Sequence, residues 1–92
     1  MKIKLDELQE IITFLLSYLK ESKGIEIELK NDYYWDIPCD QLYNPYESPK
    51  DILIGQLSDD LTEIKRLLKA KEEAIPYDLK RVAEILKDLS VA

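Results

Sequence analysis

A chain of 92 residues with a formal charge of −6 and 46 per cent hydrophobic residues is expected to form one domain, residues 1–92, too apolar to stay disordered and too small to enclose a large ligand. It has no histidine and a single cysteine, Cys39, which excludes Ser-His-Asp and Cys-His nucleophilic sites, an intrachain disulfide and zinc centres of the usual Cys/His type. The acidic balance also speaks against a nucleic-acid binder, since phosphate contacts need clustered Lys and Arg.

From the N-terminus, Leu5, Leu8, Ile12, Leu15 and Leu19 fall at three- and four-residue steps, with Ile11, Leu16 and Tyr18 widening the stripe. That spacing predicts an amphipathic helix from Leu5 to about Ser22. Asp6, Glu7 and Glu10 stand early, Lys20 and Lys23 late, and Gly24 supplies a stop, as the helix dipole and C-terminal capping favour. The stripe is wide enough to be covered by more than one neighbour. The same acids interrupt any signal-peptide core, and no apolar run approaches a membrane-spanning length, so a cytoplasmic location without membrane partner is expected.

The period then changes to two. Ile25, Ile27 and Leu29 alternate with Glu26, Glu28 and Lys30, and Tyr33, Trp35 and Ile37 alternate again before Pro38 ends the ladder. A three-residue turn at Lys30-Asn31-Asp32 would pair Leu29 with Tyr33, Ile27 with Trp35 and Ile25 with Ile37, placing six apolar side chains on one face. Tyr33 and Trp35 are then core residues, whereas Tyr34 faces outward with Glu26, Glu28 and Asp36. Residues 40–50, with Pro45, Pro49, Asn44 and Ser48, read as a structured loop tacked down by Tyr43 and Tyr46. Ile52-Leu53-Ile54 suits a third strand. Ser58 is the expected N-cap of a second helix carrying Leu57, Leu61, Ile64 and Leu68, and Pro76 fits the start of a third, with Leu79, Val82, Ala83, Leu86 and Leu89. The expected fold class is α+β: an N-terminal helix, a small antiparallel sheet of two or three strands and two C-terminal helices packed on its apolar face.

Charge is unevenly spread. Between Ile25 and Asp60 nine acidic residues oppose two lysines, a net −7 that exceeds the charge of the whole chain. Five of the aromatic residues, Tyr33, Tyr34, Trp35, Tyr43 and Tyr46, lie in the same segment. Rings offer rigid contact area and the field steers a basic protein, so this segment is the candidate interface, through Glu26, Glu28, Tyr34, Asp36, Asp40, Tyr43, Tyr46 and Glu47. Other clusters have plainer explanations. Asp59 and Asp60 behind Ser58 suit the start of a helix better than a metal site or a catalytic pair. Asp32, Asp36 and Asp40 recur every four residues, but Pro38 and the alternating aromatics deny them a helical face. Lys65, Arg66, Lys69, Lys71, Lys80 and Arg81 are interleaved with Glu63, Glu72, Glu73 and Glu84 and read as solvated helix faces. Cys39 has no basic neighbour to activate its thiol.

The run Asp32-Tyr33-Tyr34-Trp35-Asp36-Ile37-Pro38, with Leu42-Tyr43, Tyr46, Pro49 and then Ile54-Gly55-Gln56-Leu57-Ser58-Asp59-Asp60, resembles a pattern of a family of small uncharacterised bacterial proteins. In being short, acidic and free of catalytic residue types, the chain is also similar in character to bacterial toxin-immunity proteins. The acidic, aromatic segment, with that likeness beside it, leads to the expectation of a non-enzymatic module, without cofactor or metal, that blocks a basic site on a partner protein such as a toxin nuclease. An adaptor subunit assembling through its apolar helix faces, as a homodimer for instance, is the alternative expectation.

Overall fold

The protein is described by a computed structural model covering residues 1–92. Its elements in chain order are α1 (Leu5–Lys23), β1 (Tyr33–Asp36), β2 (Leu53–Gln56), α2 (Leu57–Leu67) and α3 (Tyr77–Leu89), with short 3-10 turns at Cys39–Gln41 and Lys71–Glu73. The α+β class and all three helices are as expected. No helix is long and apolar enough to cross a membrane.

Helix α1 forms where its apolar spacing requires and stops at Gly24, whose φ of +91° is open to glycine without the strain a β-carbon would bring. The Gly24 N–H closes the last turn on the Lys20 carbonyl at 3.0 Å. The first turn holds Asp6 and Glu7 and the last Lys20 and Lys23, so both ends suit the helix dipole.

The sheet is not the expected hairpin. Residues 25–32 form no strand, with bends at Ile25 and Lys30, and β1 pairs instead with β2, antiparallel, with Tyr33 opposite Gln56, Tyr34 opposite Gly55, Trp35 opposite Ile54 and Asp36 opposite Leu53. The expected third strand is therefore the second of only two. Asp32 explains the choice. Its carbonyl accepts the Leu57 N–H at 2.7 Å, its Oδ1 accepts the Ser58 N–H at 2.9 Å, and its Oδ2 accepts from the Gln56 amide at 2.8 Å. The residue before β1 is thus tied to the junction of β2 and α2, which fixes the register. Pairing with residues 25–29 would have forced Glu26 against Asp36, a like-charge opposition the observed sheet avoids.

Helix α2 starts one residue earlier than expected, at Leu57, so Ser58 lies inside it. Asp32, reaching from another segment, does the capping that was expected of Ser58. These hydrogen bonds, the Gln56 amide first and the Ser58 N–H next, hold the Asp32 carboxyl below its ordinary range. Helix α3 follows Pro76 directly. Asp78 in its first turn accepts the Ile75 N–H at 2.8 Å and an Arg81 N–H at 2.5 Å, and the backbone bond leads in depressing its pKa. Arg66 bridges Glu63 on α2 and Glu73 in the following turn, fastening the exit of α2.

Packing departs furthest from expectation. The contacts that hold the body together run between the two strands and between α2 and α3. Leu57, at 4 per cent exposure, is the one fully buried apolar residue; the others buried are Asp60, Asp78 and Asp88. No residue of α1 is buried. It stands beside the end of α3 across an open apolar cleft lined by Ile12, Leu15, Leu16, Tyr18, Leu19, Leu86 and Leu89, closed at one side where Lys23 donates to the Ala92 carbonyl at 3.1 Å.

Candidate functional site

The alternation along β1 is as expected, but its facing is reversed. Tyr33 and Trp35, expected in the core, are exposed at 66 and 72 per cent, and with Ile54 they line a shallow apolar patch. Tyr34 and Asp36, expected on the outside, turn toward the helices. The physical reason lies in what waits on each side. Opposite Tyr34 stands Gly55, and the phenol ring occupies the space a β-carbon there would need. Beyond the ring are ionic groups, Asp60 from α2 and Lys80 from α3.

These groups form one connected network. The Tyr34 hydroxyl donates to Asp60 Oδ2 at 2.5 Å and accepts from Lys80 Nζ at 3.1 Å. Lys80 Nζ also meets Asp36 Oδ1 at 2.8 Å and lies 4.7 Å from the centre of the Tyr34 ring. Arg81 approaches Asp60 at 3.9 Å, binds Asp78 and stacks 4.6 Å from the centre of the Tyr77 ring. Burial pushes the Tyr34 phenol up to about 12, with the Asp60 hydrogen bond adding to it. For Lys80, burial acts downward, but the bonds to Asp36 and Tyr34 outweigh it and hold the ammonium above its ordinary range. Every charge in the network has an opposite partner, and the sheet is joined to both helices through it. Its chemistry is that of a structural clamp: the phenol stays neutral and the ammonium stays charged.

The candidate interface residues therefore divide. Tyr34 and Asp36 are committed to the interior network, a correction to their expected place on the binding face. Glu26 and Glu28 are exposed, though on an unpaired segment and not on a hairpin. Asp40, Tyr43, Tyr46 and Glu47 are exposed on the connection between the strands, where Tyr43 and Tyr46 reach 87 and 94 per cent exposure. These tyrosines do not tack the loop down as expected. The loop is shaped by its backbone, with Asn44 Oδ1 accepting the Tyr46 N–H at 3.2 Å in an Asx-type turn. Glu26, Glu28, Asp40 and Glu47 make no ion pair.

Sequence reasoning missed Tyr33 and Trp35 as surface residues. The signal was Gly55: a glycine two residues before a helix, across from an aromatic, marks the side where a ring must lie flat on backbone. No three acidic or thiol side chains converge in a geometry suited to a metal ion. Comparison with protein-family models, with curated proteins and with solved structures returns no significant match to this chain.

Proposed function

We propose that the protein is a non-enzymatic protein-binding module whose acidic, aromatic segment occupies a basic site on a partner protein, in the manner of an inhibitor or immunity protein. The observation that carries this reading is the exposure of Tyr33, Trp35, Tyr43 and Tyr46 within the segment of net charge −7, beside Glu26, Glu28, Asp40 and Glu47, which have no cation of their own. Exposed rings in an acidic field provide anchoring area and long-range steering in one surface. Tyr34 and Asp36 hold the sheet to the helices beneath and take no direct part.

The test is capture of a partner from lysate at low and high salt, followed by kinetics with the purified partner. Glu26→Lys with Glu47→Lys is expected to slow association and flatten its salt dependence, while Trp35→Ala with Tyr43→Ala speeds dissociation. A partner whose binding ignores both pairs of changes would refute the proposal. A second reading, an adaptor that assembles through apolar helix faces, is favoured by one specific observation, the absence of any buried residue in α1.

A further inference from the structure

We propose that α1 is the dimerisation element of the protein and that a second copy of this chain covers it in a two-fold, helix-to-helix contact. This inference rests on the assembly reading and is independent of the acidic surface.

The first support is area. A folded monomer of this mass exposes roughly 5,500 Å² by the usual scaling of surface with mass. The chain exposes 8221 Å², an excess of about 2,700 Å² over that scaling. Its radius of gyration is 14.9 Å, against about 12 Å for a compact chain of this length. An obligate homodimer buries on the order of 1,000–2,500 Å² on each protomer, so the surplus, spread over the whole chain, is more than enough to supply such a pairing.

The second support is charge. Two molecules of charge −6 repel, so a self-contact must lie where the field is weak. Residues 1–24 carry Lys2, Lys4, Lys20 and Lys23 against Asp6, Glu7, Glu10 and Glu21, a balance of zero. A basic partner would be drawn instead to residues 25–60. Neutrality thus assigns the helix to a like-charged copy and the acidic segment to something else.

The third is spacing. The most exposed apolar positions along the middle of α1 are Ile11, Phe14, Leu15 and Tyr18, with Phe14 at 68 per cent and with Leu15 and Tyr18 also bordering the cleft toward α3. Their steps of three, one and three read the same in both directions. A two-fold axis between residues 14 and 15, with the helices antiparallel, sets Phe14 on Leu15 of the partner subunit and Ile11 on Tyr18 of the partner subunit. The same reversal brings the acidic first turn of one helix level with the basic last turn of the other and opposes the two helix dipoles.

The test is mass by light scattering and sedimentation on the full chain at micromolar concentration. Twice the chain mass of 10.8 kDa is expected, and a monomer would overturn the proposal. Phe14→Glu is expected to halve the mass; a variant that stays dimeric would remove α1 from the contact. Because Phe14→Glu also perturbs the helix itself, a second variant keeps the test decisive. In a Cys39→Ser background, Phe14→Cys lies at the centre of α1 and is expected to form an interchain disulfide under mild oxidation, whereas Tyr43→Cys is not. Failure of Phe14→Cys to cross-link, or cross-linking only as readily as Tyr43→Cys, would overturn the two-fold contact. A larger assembly with a different protein under the same conditions would overturn the second-copy inference while leaving the adaptor reading standing.

Discussion

Replacing Gly55 with alanine tests the charged interior at its tightest point. A β-carbon at Gly55 would lie 2.7 Å from the Tyr34 hydroxyl oxygen and closer still to two carbons of the ring, so the ring must leave. Overpacking of this kind costs about 1–3 kcal/mol. Moving the ring also breaks the hydrogen bond from Tyr34 to the buried Asp60, worth roughly 1.5–3 kcal/mol for a bond to a charged group. The two effects share one displacement and do not simply add, so the expected loss is about 2–4 kcal/mol. The assay is urea unfolding followed by circular dichroism at fixed protein concentration, arranged as a double-mutant cycle. In a Tyr34→Ala background the methyl group meets open space, and Gly55→Ala should then cost less than about 0.5 kcal/mol. Tyr34→Phe, which keeps the ring and removes only the hydroxyl, should cost roughly 1.5–3 kcal/mol. Equal effects of Gly55→Ala in both backgrounds would refute the account of why Tyr34 faces inward.

Asp32→Ala should unpair β1 from the start of α2 and lower the melting temperature by several degrees, since one side chain holds three groups across that junction. The depressed Asp32 carboxyl favours the folded state above its ordinary value of 3.8, and that contribution is lost as pH falls through the lower folded value. Asp32→Asn should therefore flatten the acid limb of a stability profile, read by denaturation at successive pH values. Tyr34 titrates at about 12 in the folded protein, against an ordinary value of 10.0, so stability should fall as pH rises between the two. The corresponding ultraviolet phase should vanish in Tyr34→Phe. Asp88 is buried near the C-terminal end of α3, with Oδ1 bonded to Asn31 at 2.8 Å and Oδ2 without a partner. Asp88→Asn removes a negative charge from the unfavourable end of a helix and should raise stability by about 1 kcal/mol in thermal or chemical denaturation.

Where local rules decided the structure, the residues announced it. The three- and four-residue steps of α1 and the stop at Gly24 are helix physics carried within one segment, and α1 was legible almost to the residue. The same holds for the helix following Pro76. The sheet was not legible, because its register depends on Asp32, whose partners at Gln56, Leu57 and Ser58 lie more than twenty positions away. Two segments, 25–29 and 52–56, could each have supplied a partner for β1, and periodicity alone favoured the nearer one. The facing of β1 was misread for a related reason. Alternation shows that Tyr33 and Trp35 share a face, but only Gly55, Asp60 and Lys80 reveal that the other face turns to the helices. Of the candidate surface, the exposed acids and loop tyrosines could be named in advance, while Tyr34 and Asp36 were claimed by a network assembled from three elements.

An interior in which Asp60 and Asp78 are buried with Leu57, and in which Tyr34, Asp36, Lys80 and Arg81 share the half-buried layer with Leu61, Ile64, Leu67, Ile85 and Leu86, has a thermal consequence. The heat capacity of unfolding arises from newly wetted apolar surface and is diminished by polar surface, with about 12–15 cal/mol/K per residue as the usual balance. A single protomer of this protein should fall below that range, giving a broad, shallow curve of stability against temperature. Two protomers joined along α1 unfold from a drier starting point, so their curve should be the more sharply domed. Calorimetry of the paired protein and of a protomer held apart would thus separate the contribution of the ionic clamp from that of the shared helix.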